Sequence, residues 1–216
     1  MSEQSTVRAN SESVAHHVRQ AILNGEFVPR QRLIEADLST EFDATRASVR
    51  HALMTLEGEG LIERMPNRGA RVRAISPNEA IEIVEVRVGL EVLVARRAAE
   101  RIDADRSTAL ADLRDGMRTA VESGDLVRYA ALNQEMDAVL REISDHGVAN
   151  QLLERLRAQA ARHQFRLAFD PQRASASVEE HAAIVDAVIA RDPDAAATAT
   201  ETHLAAIIQA ISRTHT

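Results

Sequence analysis

Beyond Ser76-Pro77 the chain carries apolar residues at helical spacing almost to its end, and this feature limits the fold more than any other. The periods run over roughly 77–102, 105–123, 125–144, 147–169, 175–191 and 193–213. They are interrupted at Gly124, His146-Gly147, Asp170-Pro171 and Asp192-Pro193, residue types that end helices or open new ones. Helices of this kind bury their apolar faces against one another, so residues 76–216 are predicted to form an all-α six-helix bundle.

The first third reads differently. Val14, Val18 and Ile22 form an apolar stripe on a helix from Ser11 to Asn24, with Gly25 as its stop. A short second helix is predicted over Leu33–Glu41. The segment Phe42-Asp43-Ala44-Thr45 breaks the period, and Thr45 can cap a third helix that runs through Leu56. Leu61–Arg64 and Ala70–Arg73 then suit two short strands around the turn-rich Met65-Pro66-Asn67-Arg68-Gly69. Three helices followed by a β-hairpin are the order of a winged helix-turn-helix. The predicted fold is therefore mainly α, with a winged helix-turn-helix at 11–75, a helical domain at 76–216, and a disordered tail at 1–10.

Composition excludes several classes. With no cysteine, the chain has neither a disulfide framework nor a thiolate metal site, which suits a reducing cytoplasm. No apolar run approaches the ~20 residues that span a bilayer, and Met1–Asn10 lacks the apolar core of a secretion signal. No membrane association is expected. The formal net charge is −7. Arginines and acids balance within residues 1–76, so nucleic-acid binding must be argued from where particular arginines sit.

On the third helix Val49, Leu53 and Leu56 face the core, which leaves Arg46 and Arg50 together on another face. Arg46 lies in the first turn, the end that enters the major groove in helix-turn-helix proteins. A guanidinium there can bond guanine bidentately or clamp a phosphate. Thr45 and Ser48 lie in the same turn. Arg68 at the hairpin tip and Arg71 beside it suit a wing that touches the DNA backbone or minor groove. The alternative is a solvated helix face that carries two arginines.

The stretches Arg32–Ser39, Ala44–Leu53, Leu56–Ile62 and Asn67–Val72 resemble the GntR family of bacterial regulators over about residues 11–74. The motif Thr45-Arg46-Ala47-Ser48-Val49-Arg50-His51-Ala52-Leu53 and the wing Arg68-Gly69-Ala70-Arg71-Val72 occur together at the family spacing. The resemblance implies that Arg46 and Arg50 read an operator. Three positions depart from it: Ala36 stands where some members have Arg, Asp43 where the family has Gly, and His51 where Glu is frequent.

In the helical part, polar residues occupy positions where core residues are expected. His181 shares a face with Ile184, Val185 and Val188, and His203 with Ile207 and Ile211. Asn133 and Asp137 lie one turn apart on the side of Met136 and Leu140. A buried carboxylate needs a partner. Two arrangements supply one: a hydrogen-bonded polar network, or a divalent metal held by donors from three helices.

Leu132–Leu140, Glu180–Val188 and His203-Leu204 are similar to the FCD effector domain of the FadR subfamily, and Val84–Glu91 resembles that domain's first helix. The resemblance implies a metal set of Asn133, Asp137, His181 and His203, with Asp137 where the family usually has His. That change favours Mn²⁺ or Ni²⁺ beside Zn²⁺. It also implies a homodimer on palindromic double-stranded DNA, most simply as a repressor, controlled by a small organic acid. Arg87, His163 and Arg166 are candidates to contact that anion. Two rivals stand beside this reading. One is a helical metallohydrolase, against which neither an H-E-x-x-H motif nor a nucleophile with an evident base is found. The other is a DNA-binding dimer without an effector.

Overall fold

The computed structural model describes residues 8–23, 25–65 and 69–213, except for the side chains of 161–166 and 168. The chain divides into two compact units, residues 1–75 and 76–216.

The first unit runs α1 (Ser11–Leu23), β1 (Arg32–Leu33), α2 (Glu35–Glu41), α3 (Arg46–Gly58), β2 (Ile62–Met65) and β3 (Gly69–Val72). Val14 and Val18 of α1 and Val49, Leu53 and Leu56 of α3 are buried, as their spacing predicts, and α1 packs on α3. Burying each such side chain contributes about 1.5–3 kcal/mol. Thr45 caps α3 as expected: its Oγ1 accepts from the Ser48 backbone N–H at 3.0 Å. Asp43, where the resemblance implies Gly, has φ of +44°. This is the left-handed region, which Asp tolerates better than most residues.

Two sequence expectations need correction here. Leu33 does not open the second helix. It lies in β1, which pairs antiparallel with β3 (Arg32↔Arg71, Leu33↔Ala70), so the sheet has the order β1-β3-β2. A two-residue strand is too short to show a period of two, so its pairing depends on β3. The wing pairs as predicted, with Ile62↔Val72 through Met65↔Gly69. Gly69 has φ of +82°, and a Cβ there would lie 3.1 Å from the Leu33 carbonyl oxygen. The tail is the second correction. Residues 1–7 lie outside the described residues, but Ala9 already bridges to Ala44, and Asn10 Oδ1 accepts from Ser13 N–H at 2.8 Å.

The second unit contains α4 (Pro77–Arg101), α5 (Ala104–Glu122), α6 (Leu126–Ser144), α7 (Gly147–Ala168), α8 (Pro171–Ile189) and α9 (Pro193–Arg213). α4 packs against α6, α7, α8 and α9, and α5 against α6 and α8. The core includes Ile102, Leu110, Met117, Met136, Leu153, Val185 and Val188. Side-chain caps set the helix starts: Ser76, Asp103, Asp125 and Asp170 each accept a first-turn backbone N–H. α8 accordingly begins four residues before its predicted start. Asp170-Pro171, read as a break, is an N-cap followed by proline at the first helical position. Among the described residues no helix is long and apolar enough to cross a membrane.

Candidate functional site

Each unit carries one candidate site. In the first, α3 presents Arg46 in its opening turn and Arg50 one turn later, both exposed. Arg50 is held by Glu35 of α2, its Nε donating to Oε1 at 3.4 Å and its Nη2 to Oε2 at 3.1 Å. Thr45 Oγ1 and Ser48 Oγ lie 2.9 Å apart in the capping turn. Arg71 of β3 donates to Glu63 Oε1 directly across the hairpin at 2.7 Å. Arg68 lies outside the described residues. Arg64 of β2 was not foreseen. It lines a cleft of about 340 Å³ between α2, α3 and the wing, together with Glu35, Arg50, Leu53 and Met65.

The second site is a buried polar cluster to which five helices contribute. His181 of α8 and His203 of α9 face one another, with their Nε2 atoms 3.2 Å apart. Each far nitrogen has its own partner. His203 Nδ1 lies 2.8 Å from Glu180 Oε2, and His181 Nδ1 lies 3.3 Å from the Tyr129 hydroxyl. Glu180 also accepts a bidentate pair from Arg173 at 3.0 and 2.6 Å.

Asp137 turns to Arg157 of α7 rather than to the histidines. The same guanidinium reaches Glu91 of α4 through Nη2 at 3.1 Å, and Glu91 accepts from Arg87 Nε at 2.8 Å. Arg87, a candidate to contact the anion, is buried in this network, with 3% of its side chain exposed. Asn133 Oδ1 is buried, with no hydrogen-bond partner among the described residues. The side chains of His163 and Arg166 lie outside those residues.

The electrostatics tie these groups into one interior. Burial above all, with the guanidinium groups of Arg173 and Arg157 nearby, holds His181 well below the usual imidazole value, so the ring is neutral. Burial pushes the Glu91 carboxyl up, but Arg157 and Arg87 outweigh it and hold the group down to about 2. Burial likewise opposes ionisation of Glu180, and hydrogen bonds from His203 and Arg173 bring it below its ordinary value. Tyr129 is pushed up to about 12, chiefly by burial, and keeps its proton.

The histidine pair admits two proton arrangements. In one, Tyr129 donates to His181 Nδ1, His181 Nε2–H donates to His203 Nε2, and His203 Nδ1–H donates to Glu180. In the other, both Nδ1 atoms carry the proton and both Nε2 lone pairs converge. Two imidazole nitrogens bound side by side on zinc, each at ~2.0–2.1 Å, lie about 3.3 Å apart. The observed spacing therefore suits a shared cation as well as a hydrogen bond, and Glu180 is placed as the carboxylate that orients a ligating histidine. The unpartnered Asn133 oxygen is a third neutral donor. Among the described residues no three acidic or imidazole groups stand together as a ready metal site. Asp137 is held by Arg157, so it is the two histidines that converge here.

Glu91, Arg157, Arg173, Glu180 and Tyr129 were missed as site residues. Arg157 had a readable signal. It continues the buried stripe Ala149, Leu153, Ala160 at i+8 from Ala149, as His181 does on α8.

Two family models match the chain. One, described as "Bacterial regulatory proteins, gntR family", matches residues 10–72, and the other, described as "FCD domain", matches residues 82–206. An Agrobacterium vitis protein, described as an uncharacterized HTH-type transcriptional regulator in the TAR-I ttuE-ttuC' intergenic region, is 30% identical over 132 residues. That alignment covers 59% of this chain and 77% of the relative. The HTH-type transcriptional repressor RspR of Escherichia coli K12 is 30% identical over 153 residues, covering 71% of this chain and 67% of RspR. Among solved structures, E. coli McbR/YncC shares the fold with a TM-score of 0.83 at 18% identity, over 97% of this chain and 100% of that one.

Proposed function

The chain belongs to the gntR family of bacterial regulatory proteins and is a transcriptional regulator with an FCD effector-binding domain, and from that premise we propose that it is a repressor released from DNA by a small organic acid. The family and its relatives are transcription regulators and not enzymes, which sets the metallohydrolase aside. In this reading residues 11–75 form the DNA-binding domain and residues 76–216 the effector and dimerisation domain. A homodimer places two α3 helices on the half-sites of a palindrome in the cytoplasm. Arg46 and Arg50 contact bases. Thr45, Ser48, Arg68 and Arg71 contact the backbone or set the register. One relative is itself named a repressor, which supports that direction of control.

The single observation that carries the effector reading is the interior cluster around His181 and His203. Eight charged or imidazole groups from five helices are gathered in an interior where apolar packing would be simpler. This arrangement supports binding of an anion there, with a divalent ion as second ligand. Zn²⁺, Mn²⁺ or Ni²⁺ would be held by His181 Nε2, His203 Nε2, Asn133 Oδ1 and Asp137, and would supply a positive centre for a carboxylate. Arg87, His163 and Arg166 remain candidates to line the same space.

The test is a thermal-shift screen of small mono- and dicarboxylates, each with and without added Mn²⁺ or Zn²⁺, followed by gel shifts on duplexes recovered by selection with the wild-type protein. An acid that raises the melting temperature binds the folded state, and the same acid should weaken the DNA complex. If DNA affinity is indifferent to every stabilising acid, the effector-controlled reading fails and a plain DNA-binding dimer is left.

A further inference from the structure

The cleft between α2, α3 and the wing is lined by three charged side chains, Glu35, Arg50 and Arg64, beside the apolar Leu53 and Ala70. Glu35 is its one carboxylate, and Arg50 already holds it, donating from Nη2 at 3.1 Å. Arg64 has no such partner. Its neighbour Glu63 lies on the opposite face of the sheet, because successive strand residues alternate, and there it accepts from Arg71 at 2.7 Å. Arg64 is opposite Ala70 in the ladder, and Ala70 is buried on the same face as Ile62 and Val72, where β2 meets α3. The residue is exposed, and among the described residues its guanidinium makes no hydrogen bond or ion pair. The cleft lining therefore carries one positive charge that no carboxylate in it neutralises.

We propose that Arg64 binds a backbone phosphate of the DNA, on the flank of the groove that α3 enters. The inference rests on the reading of α3 as the helix in that groove. Arg50 belongs to two surfaces: it shares the exposed face of α3 with Arg46, and it lines the cleft with Arg64. The major groove is about 12 Å wide, close to the diameter of a helix with its side chains. A helix seated there has a sugar-phosphate wall on each side. What stands beside α3 at the level of Arg50 therefore meets a wall and not base edges. Arg64 stands there, on the strand side of the cleft. Glu35 holds Arg50 by Nε and Nη2, so in this geometry the charge open to a phosphate in the cleft is that of Arg64. Such a contact fixes the register of the protein on the duplex and carries no sequence information of its own.

Fluorescence anisotropy over a salt series tests the proposal, with the full chain on duplexes selected by the wild-type protein and on scrambled duplexes. Wild type is compared with Arg64→Gln and Arg64→Lys. The glutamine variant should bind both kinds of duplex more weakly by the same factor, and its log–log salt slope should shrink by about 0.9, one phosphate contact. Its fold-loss should then be about 3.5 times larger at ~50 mM salt than at ~200 mM. Arg64→Lys should keep the wild-type slope, since a phosphate accepts a point charge, and it serves as the folded variant if the glutamine protein melts early. Two results would overturn the proposal: an Arg64→Gln protein with wild-type affinity and slope, or a loss confined to the selected duplexes that lysine does not repair, which marks a base contact. The premise is checked separately by the double change Arg46→Ala and Arg50→Ala. Full affinity in that protein means that α3 is not in the groove, and the placement of Arg64 beside a phosphate falls with it.

Discussion

His203 Nε2 lies 3.2 Å from His181 Nε2, and burial keeps the His181 ring neutral beside it. This pair makes stability depend on pH in a defined direction. In the unfolded chain His181 takes up a proton below about pH 6.5, whereas in the fold its value is well below 6.5. Below pH 6.5 the unfolded state therefore binds more protons, and stability falls with pH until the folded value is reached, by up to about 1.4 kcal/mol per pH unit for one group. Denaturation midpoints between pH 7.5 and 5 should drop for wild type and drop less for His181→Gln. Below about pH 4.5 a second loss should appear, because Glu91 and Glu180 are held below their ordinary values in the fold and must take up protons. Identical slopes for wild type and His181→Gln would mean that another group dominates.

Glu91→Gln should be severely destabilising. Glu91 is 12% exposed and faces both Arg87 and Arg157. Removing its charge leaves two buried guanidinium groups with one carboxylate fewer, a change of about 3–5 kcal/mol for a broken buried pair. Urea denaturation followed by circular dichroism measures it, with Glu82→Gln on the exposed side of the same helix as control.

Arg50→Ala should weaken the specific DNA complex by about 1–3 kcal/mol if the side chain makes a bidentate base contact. Glu35→Gln should act in the opposite sense on unrelated duplexes. It removes the carboxylate that holds Arg50 at 3.1 Å and so takes a negative charge from beside the phosphates. Binding to selected and scrambled duplexes across a salt series separates the two effects. Full affinity after loss of both Arg46 and Arg50 would show that α3 is not the reading helix.

Thr45→Ala should cost the N-terminal unit about 1 kcal/mol, because the Ser48 N–H loses its side-chain acceptor at 3.0 Å. Thr45→Ser should restore most of it. A thermal melt of all three proteins is sufficient, and an unchanged alanine variant would mean that solvent caps the helix equally well.

Helix positions and helix faces were legible in the sequence because both are local. The caps Ser76, Thr45 and Asp103 act on a backbone N–H three residues ahead, and the inward faces of His181 and His203 follow from spacings of three and four. The start of α3 and its buried face were legible for the same reason. Partner choice was not. Asp137 could have met the histidines, a metal or an arginine, and the chain places its partner Arg157 twenty residues away, with Glu91 a further 66 residues from Arg157. β1 became a strand only because β3 lay beside it, and Arg50 found Glu35 across fifteen residues. Capping and amphipathic period are written within one helical turn, so composition and spacing determine them. Which buried charge neutralises which is decided by the packing of helices distant in sequence, and only the tertiary structure settles it.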